Sequence, residues 1–110
     1  MARMAIGGDG FRAVADPARR SILEFVAGRE RTVGEIVVHL RLAQPSVSKH
    51  LGVLHGAGLV RSRRAGRSVL YCANGEAIRP LHAWTGRFER LWQRQLDGVK
   101  RRAEAAATPD

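Results

Sequence analysis

A single cysteine, Cys72, leaves this 110-residue chain unable to close an internal disulfide or to build a multi-thiolate zinc site. Long apolar runs are missing as well: none approaches the roughly 20 residues of a membrane span. The opening MARMAIGGDG lacks the apolar centre of a secretory signal. There is no glycine-rich phosphate loop, no nucleophile elbow around a serine, and no pair of carboxylates in a plausible pocket. These absences point to a cytoplasmic protein that is not an enzyme and carries no cofactor. Acidic residues are also scarce, 10 against 19 basic ones, so the formal net charge is +9. Apart from Lys49 and Lys100, every basic residue is an arginine. Such a surface favours polyanions, nucleic acid or anionic lipid. An arginine-rich proteome would give the same composition, so the placement of the charge has to decide.

A chain of this length makes one small domain, and its 45% of hydrophobic residues supply a modest core that would gain from dimerisation. Residues 1–10 are small and read as a flexible start. Phe11, Val14 and Ala15 form a short apolar helix. It ends at Asp16-Pro17, where aspartate caps and proline opens the first turn of a second helix. Ile22, Leu23, Phe25 and Val26 keep the helical spacing up to Gly28. Thr32 followed by Glu35 is a capping box, and Val33, Ile36, Val37 and Leu40 form the apolar stripe behind it. The next segment, AQPSVSKHLGVLHGAGLV (43–60), buries Val47, Leu51 and Leu54 at i, i+4 and i+7 and stops at Gly56 and Gly58.

The period then changes. Leu59 to Arg64, a tight turn at Ala65-Gly66-Arg67 and Ser68 to Ala73 read as a β-hairpin. Arg61, Arg63, Arg64 and Arg67 surround its turn, which predicts a cluster of guanidiniums projecting at one place. From Glu76 a single helix is expected to run to Glu104, with 105–110 a disordered tail.

Helix, helix, helix-turn-helix and basic hairpin is the order of a winged helix-turn-helix: mainly α, about five helices and one two-stranded antiparallel hairpin, occupying residues 11–104. In that fold the second helix of the pair enters the major groove of double-stranded DNA. With Val47, Leu51 and Leu54 turned to the body, Lys49 and Ser48 face outward. Ser, Gln and His offer groove-edge donors and acceptors, and Lys neutralises phosphate. The arginine hairpin suits a wing on the backbone or minor groove, or else an edge strand guarded by charge.

The runs ADPARRSIL (15–23), TVGEIVVHL (32–40), AQPSVSKHLGVLHGAGLV and RRAGRSVLY (63–71) resemble the ArsR/SmtB family of bacterial transcriptional repressors. The resemblance spans Phe11 to Val99. It implies a homodimer on an imperfect inverted repeat in a promoter, often its own, released by an inducer whose identity the sequence leaves open. It also implies DNA contacts from Gln44, Ser46, Ser48, Lys49 and His50 on the recognition helix and from Arg64 and Arg67 on the wing.

The chain departs from the family's best-known metal sensors. Their Cys-Val-Cys run falls on Thr32 and Gly34 here, neither of which binds soft metal, and the terminal helix offers only His82 with Glu89 nearby. One imidazole makes a poor zinc site. His39, His50 and His55 lie on different elements, with helix surface, DNA contact and packing under the wing as their expected roles. No metal site is therefore expected, and the chain reads as a member of a non-metal-sensing branch. A lone strand cysteine such as Cys72 is usually a packed small hydrophobe; a redox switch would need an exposed, low-pKa thiol.

On the terminal helix, Leu81 with Phe88, Trp84 with Leu91, and Trp92 with Val99 repeat at seven, so an apolar seam would follow a partner helix. Leu81, Trp84, Phe88, Leu91 and Trp92 are the expected dimer interface; packing onto the body or lining an inducer pocket are the alternatives. The competing functional readings are a metal- or redox-responsive repressor of the same family and a winged-helix module that binds protein.

Overall fold

A computed structural model describes residues 8–107. In chain order the elements are α1 (Gly8–Ala13), α2 (Pro17–Gly28), β1 (Arg31–Thr32), α3 (Val33–Leu40), α4 (Gln44–Gly56), β2 (Val60–Ala65), β3 (Ser68–Ala73), α5 (Gly75–Gly86) and α6 (Glu89–Ala107). The expected winged helix-turn-helix is present, with three differences from the hairpin and helix count read from the sequence.

Local signals account for the first helices. Asp16 caps α2 by accepting from the backbone N–H of Ala18 (2.8 Å) and of Arg19 (3.2 Å), and Pro17 occupies the first turn, where its missing N–H costs nothing. The capping box of α3 is complete: Thr32 Oγ1 accepts from the Glu35 N–H (3.1 Å), and Glu35 Oε1 accepts from the Thr32 N–H (2.8 Å). Arg41 then turns the chain in a left-handed conformation, φ 57°, with its N–H on the Val37 carbonyl at 2.9 Å. α4 closes in a Schellman arrangement. Gly58, at φ 78°, donates to the His55 carbonyl (3.0 Å), and Leu59 donates to the Leu54 carbonyl (2.9 Å). Leu54 and Leu59 are both fully buried. Asn74 ties the far end of the wing to this same turn, its backbone N–H on the Leu59 carbonyl (2.8 Å) and its side-chain amide on the Gly58 carbonyl (3.0 Å).

The core draws on α2, α3, α4, the turn after α4 and the first strand of the wing, through Ile22, Val26, Ile36, Val47, Leu54, Leu59 and Val60. Ile78 and Leu81 of α5 cover it partly. Among the described residues α6 contributes no buried side chain, and the molecule is elongated, 70 × 36 × 20 Å.

The first difference is a third strand. β1 pairs antiparallel with β3, Arg31 opposite Tyr71 and Thr32 opposite Leu70, so the sheet order is β1-β3-β2 rather than a two-stranded hairpin. Two residues are too few to show a period in sequence. The second is that the expected 76–104 helix is two helices, which makes six among the described residues. Thr85 Oγ1 donates to the His82 carbonyl (3.0 Å), Gly86 is a poor helix former, and the N–H groups of Arg87 and Phe88 bond only three residues back. Regular bonding resumes with Trp92 N–H on the Phe88 carbonyl (2.9 Å). The third concerns the ends. Helix begins at Gly8, three residues before the expected start, and continues through Ala107, into the segment read as a tail; residues 1–7 and 108–110 lie outside the described residues.

Candidate nucleic-acid interface

Three apolar side chains orient α4. Val47, Leu51 and Leu54 are 0%, 2% and 0% exposed, whereas Gln44, Ser46, Ser48 and Lys49 stand on the exposed surface. The N-terminus of this helix has no side-chain cap, since Ala43 has nothing to offer. Pro45 has no N–H and the Ser46 and Val47 N–H groups bond the Ala43 carbonyl (3.0 and 3.1 Å), so the Gln44 N–H is the first-turn donor left to an outside acceptor such as a phosphate.

His50 is half-buried, and its Nδ1 lies 3.5 Å from Nη1 of Arg19. The same guanidinium donates through Nε to the Ala13 carbonyl (2.6 Å) and through Nη2 to the Arg12 carbonyl (3.1 Å). Arg19 thus joins the end of α1 to α4. The Asp16 carboxyl, which caps α2 by accepting from the Ala18 and Arg19 N–H groups, is held below its ordinary value, first by the Arg19 backbone N–H.

The wing turns between Ala65 and Ser68 on two residues, Gly66 and Arg67, with Gly66 taking the positive φ of 64° that a two-residue hairpin asks of its first position. Strand alternation divides the arginines. Arg61 and Arg63 lie on one face of β2, Ser62 and Arg64 on the other, and it is Ser62 that borders α4. Arg63 is also engaged: its Nε and Nη2 each donate to a carboxylate oxygen of Glu30 at 2.7 Å. The Arg63 side-chain hydrogen bond holds the Glu30 carboxyl low, and Glu30 in turn raises the Arg63 pKa. The expectation that four guanidiniums project at one place is therefore corrected. Arg64 and Arg67 remain exposed, Arg64 on the face toward α4 and Arg67 at the tip.

α4 on its buried stripe, with an alternating basic hairpin beside it, is the arrangement shared with proteins of known family. The sequence profile of bacterial regulatory proteins of the arsR family matches residues 16–62. The transcriptional repressor SdpR of Bacillus subtilis is 34% identical over 67% of this chain and 82% of its own length.

The chain belongs to the arsR family.

A second relative, the HTH-type transcriptional regulator KmtR of Mycobacterium tuberculosis, is 36% identical over 91% of the chain and 82% of its own length. Among solved structures, an ArsR-like transcriptional regulator from Rhodococcus sp. RHA1 superposes with a TM-score of 0.65 at 27% identity, covering 86% of this chain and 90% of that one. Its relatives make this arsR-family chain a transcriptional regulator, and no enzyme is among those three.

The remaining positions singled out in the sequence are scattered. Thr32, where the family's metal sensors carry a thiolate, spends its hydroxyl on the α3 cap, and Gly34 has no side chain to give. No group of three or more His, Cys, Asp or Glu residues comes together among the described residues. His39 stacks flat on Phe25 (3.9 Å, 2°), whose ring also carries the Arg31 guanidinium at 3.9 Å. Cys72 is half-buried, opposite Arg61. No helix among the described residues is long and apolar enough to cross a membrane. Of the expected dimer residues, Leu81 packs half-buried against the body. Trp84 meets Phe11 edge-on at 5.4 Å and Phe88 at 5.1 Å, and Leu91 and Trp92 are exposed on α6. Sequence reading missed Glu30 and Arg19, because their partners are 33 and 31 residues away. It also missed Ser62 and Tyr71, which period-2 alternation from Arg64 and Val69 would have placed on the α4 side.

Proposed function

We propose that this chain is a homodimeric repressor that reads an inverted-repeat operator with α4 in the major groove and the wing on the flanking backbone. The observation that carries the reading is the division of α4, with its apolar stripe sealed into the core and Gln44, Ser46, Ser48 and Lys49 presented on the surface. Exposed Trp84, Phe88, Leu91 and Trp92 support the dimer. Two recognition helices about 34 Å apart would enter successive major grooves on one face of the duplex, and a signal acting on their separation would release the DNA. With thiolates missing at positions 32 and 34, that signal is a non-metal one.

The test is fluorescence anisotropy on duplex from immediately upstream of the protein's own gene against a scrambled duplex, over a range of salt. A preference on the order of a thousandfold for the upstream DNA, surviving physiological salt, is the expected result for an autoregulating repressor. Equal and salt-sensitive binding to both would remove autoregulation, and no binding to either at low salt would favour a protein-binding module.

A further inference from the structure

Between α4 and the wing lies an open cleft of about 370 Å³. Its polar lining comes from two elements of different origin: Ser48 and His55, seven residues apart on α4, and Ser62 with Tyr71, directly opposite each other in the β2–β3 ladder. Among the described residues none of these four side chains finds a hydrogen-bond partner within the chain. No carboxylate lines the cleft. Its charged surroundings are cationic, with Lys49 next to Ser48 on α4 and Arg64 on the same strand face as Ser62. Gly52, between Ser48 and His55, and Gly56, just beyond His55, line the α4 side and keep it low.

Two hydroxyls, a phenol and an imidazole turned toward one gap, without an acid among them, suit an oxygen-rich anion that arrives from outside. The position of the cleft, between α4 and the wing, decides what carries it. A strand of duplex DNA whose groove holds α4 must leave that groove past the wing, and the ridge it presents there is sugar and phosphate. We propose that this cleft seats a backbone phosphate of the bound DNA, with Tyr71, Ser62, Ser48 and His55 as its hydrogen-bonding groups. The inference rests on the DNA-binding reading of α4 and the wing and adds to it a set of neutral contacts. Those contacts fix how deeply the helix sits but carry no sequence information.

Phosphate contacts do not depend on base sequence, so the full-length protein can be tested on a 30-bp random-sequence duplex at low salt. Tyr71→Phe removes only the hydroxyl, leaving the ring against the core, and is expected to lower affinity about tenfold, the size of a hydrogen bond to a charged acceptor. Gly52→Leu fills the cleft. A Cβ at position 52 meets no atom within 4 Å, and leucine favours helix more than glycine does, so the melting temperature should hold or rise while binding falls at least about tenfold. Because Tyr71 and Gly52 carry no charge, the slope of log Kd against log salt should stay that of the wild type. Lys49→Ala is the control on the underlying reading, weakening binding with a shallower slope. If Lys49→Ala weakens binding but Tyr71→Phe and Gly52→Leu bind as the wild type does, the cleft holds no phosphate and the DNA reading stands. If the wild type itself does not bind, both fall.

Discussion

Lys49 and the three capped or paired carboxylates show how single side chains here answer to partners of opposite charge. Lys49 is exposed on α4 and, among the described residues, no acidic side chain pairs with it, so it is available to phosphate. Replacing it with alanine should reduce the slope of log Kd against log salt by about 1, the signature of one lost phosphate contact, readable by anisotropy at four or more salt concentrations. An unchanged slope would take Lys49 off the DNA. The carboxyls of Asp16, Glu30 and Glu35 are all held below their ordinary values of 3.8 and 4.5. The chief causes are the Arg19 backbone N–H, the Arg63 side chain and the Thr32 backbone N–H, in that order. The folded chain therefore holds these protons less tightly than the unfolded one. Their contribution to stability is complete above the ordinary values and is lost as the pH falls through the lowered ones. Thermal melts should be flat from neutral pH to about 5 and decline from there toward about pH 3. Melts that improve with acid would contradict the direction of all three shifts. Asp16 and the Thr32–Glu35 pair were legible in the sequence because a cap and its helix are neighbours in the chain. Glu30 with Arg63 and Arg19 with His50 were not, because only folding makes them neighbours.

Among the elements, α3 depends most visibly on its start. It is eight residues long, too short to be stable by propensity alone, and its capping box satisfies two of its free N–H groups. Thr32→Ala removes the acceptor for Glu35 N–H and should cost about 1 kcal/mol in urea denaturation. A loss near zero would mean that packing of Ile36 alone holds α3. The element boundaries fared unevenly for a related reason. α2, α3 and α4 begin at Asp16-Pro17, Thr32-Glu35 and Pro45, and α4 ends at Gly58, each with a local stereochemical cause, and these boundaries could be read directly; the end of α3 at Arg41 could not. The α5–α6 break could not, because the apolar spacing at seven continues from Leu81 to Phe88 across it and masks the weak Thr85-Gly86 step. β1 escaped notice because its two residues become a strand only when β3 is beside them.

Across the whole molecule the apolar surface is unevenly spent. The core is complete without α6, yet that helix exposes Leu91, Trp92, Leu96 and Val99, with Trp92 at 50% and Leu96 at 63%. Over 19 residues, α6 is about 28 Å long, enough to lie along a second copy. For the proposed dimer, Trp92→Glu combined with Leu96→Glu should leave the melting temperature of the body nearly unchanged, give a monomer in sedimentation velocity, and weaken binding to the proposed operator. A charged double variant that still sediments as a dimer would move the interface elsewhere. The amino-acid order alone was enough to settle the helix-turn-helix, its caps, the glycine turn of the wing and the family resemblance, because each depends on residues within a few positions of one another. Folding had to settle which arginines of the wing remain free, since Glu30 reaches Arg63 only across the sheet edge. It also set Arg19 against His50 and opened the cleft between Ser48 and Tyr71. Those relations join residues far apart in the chain, and no local periodicity records them.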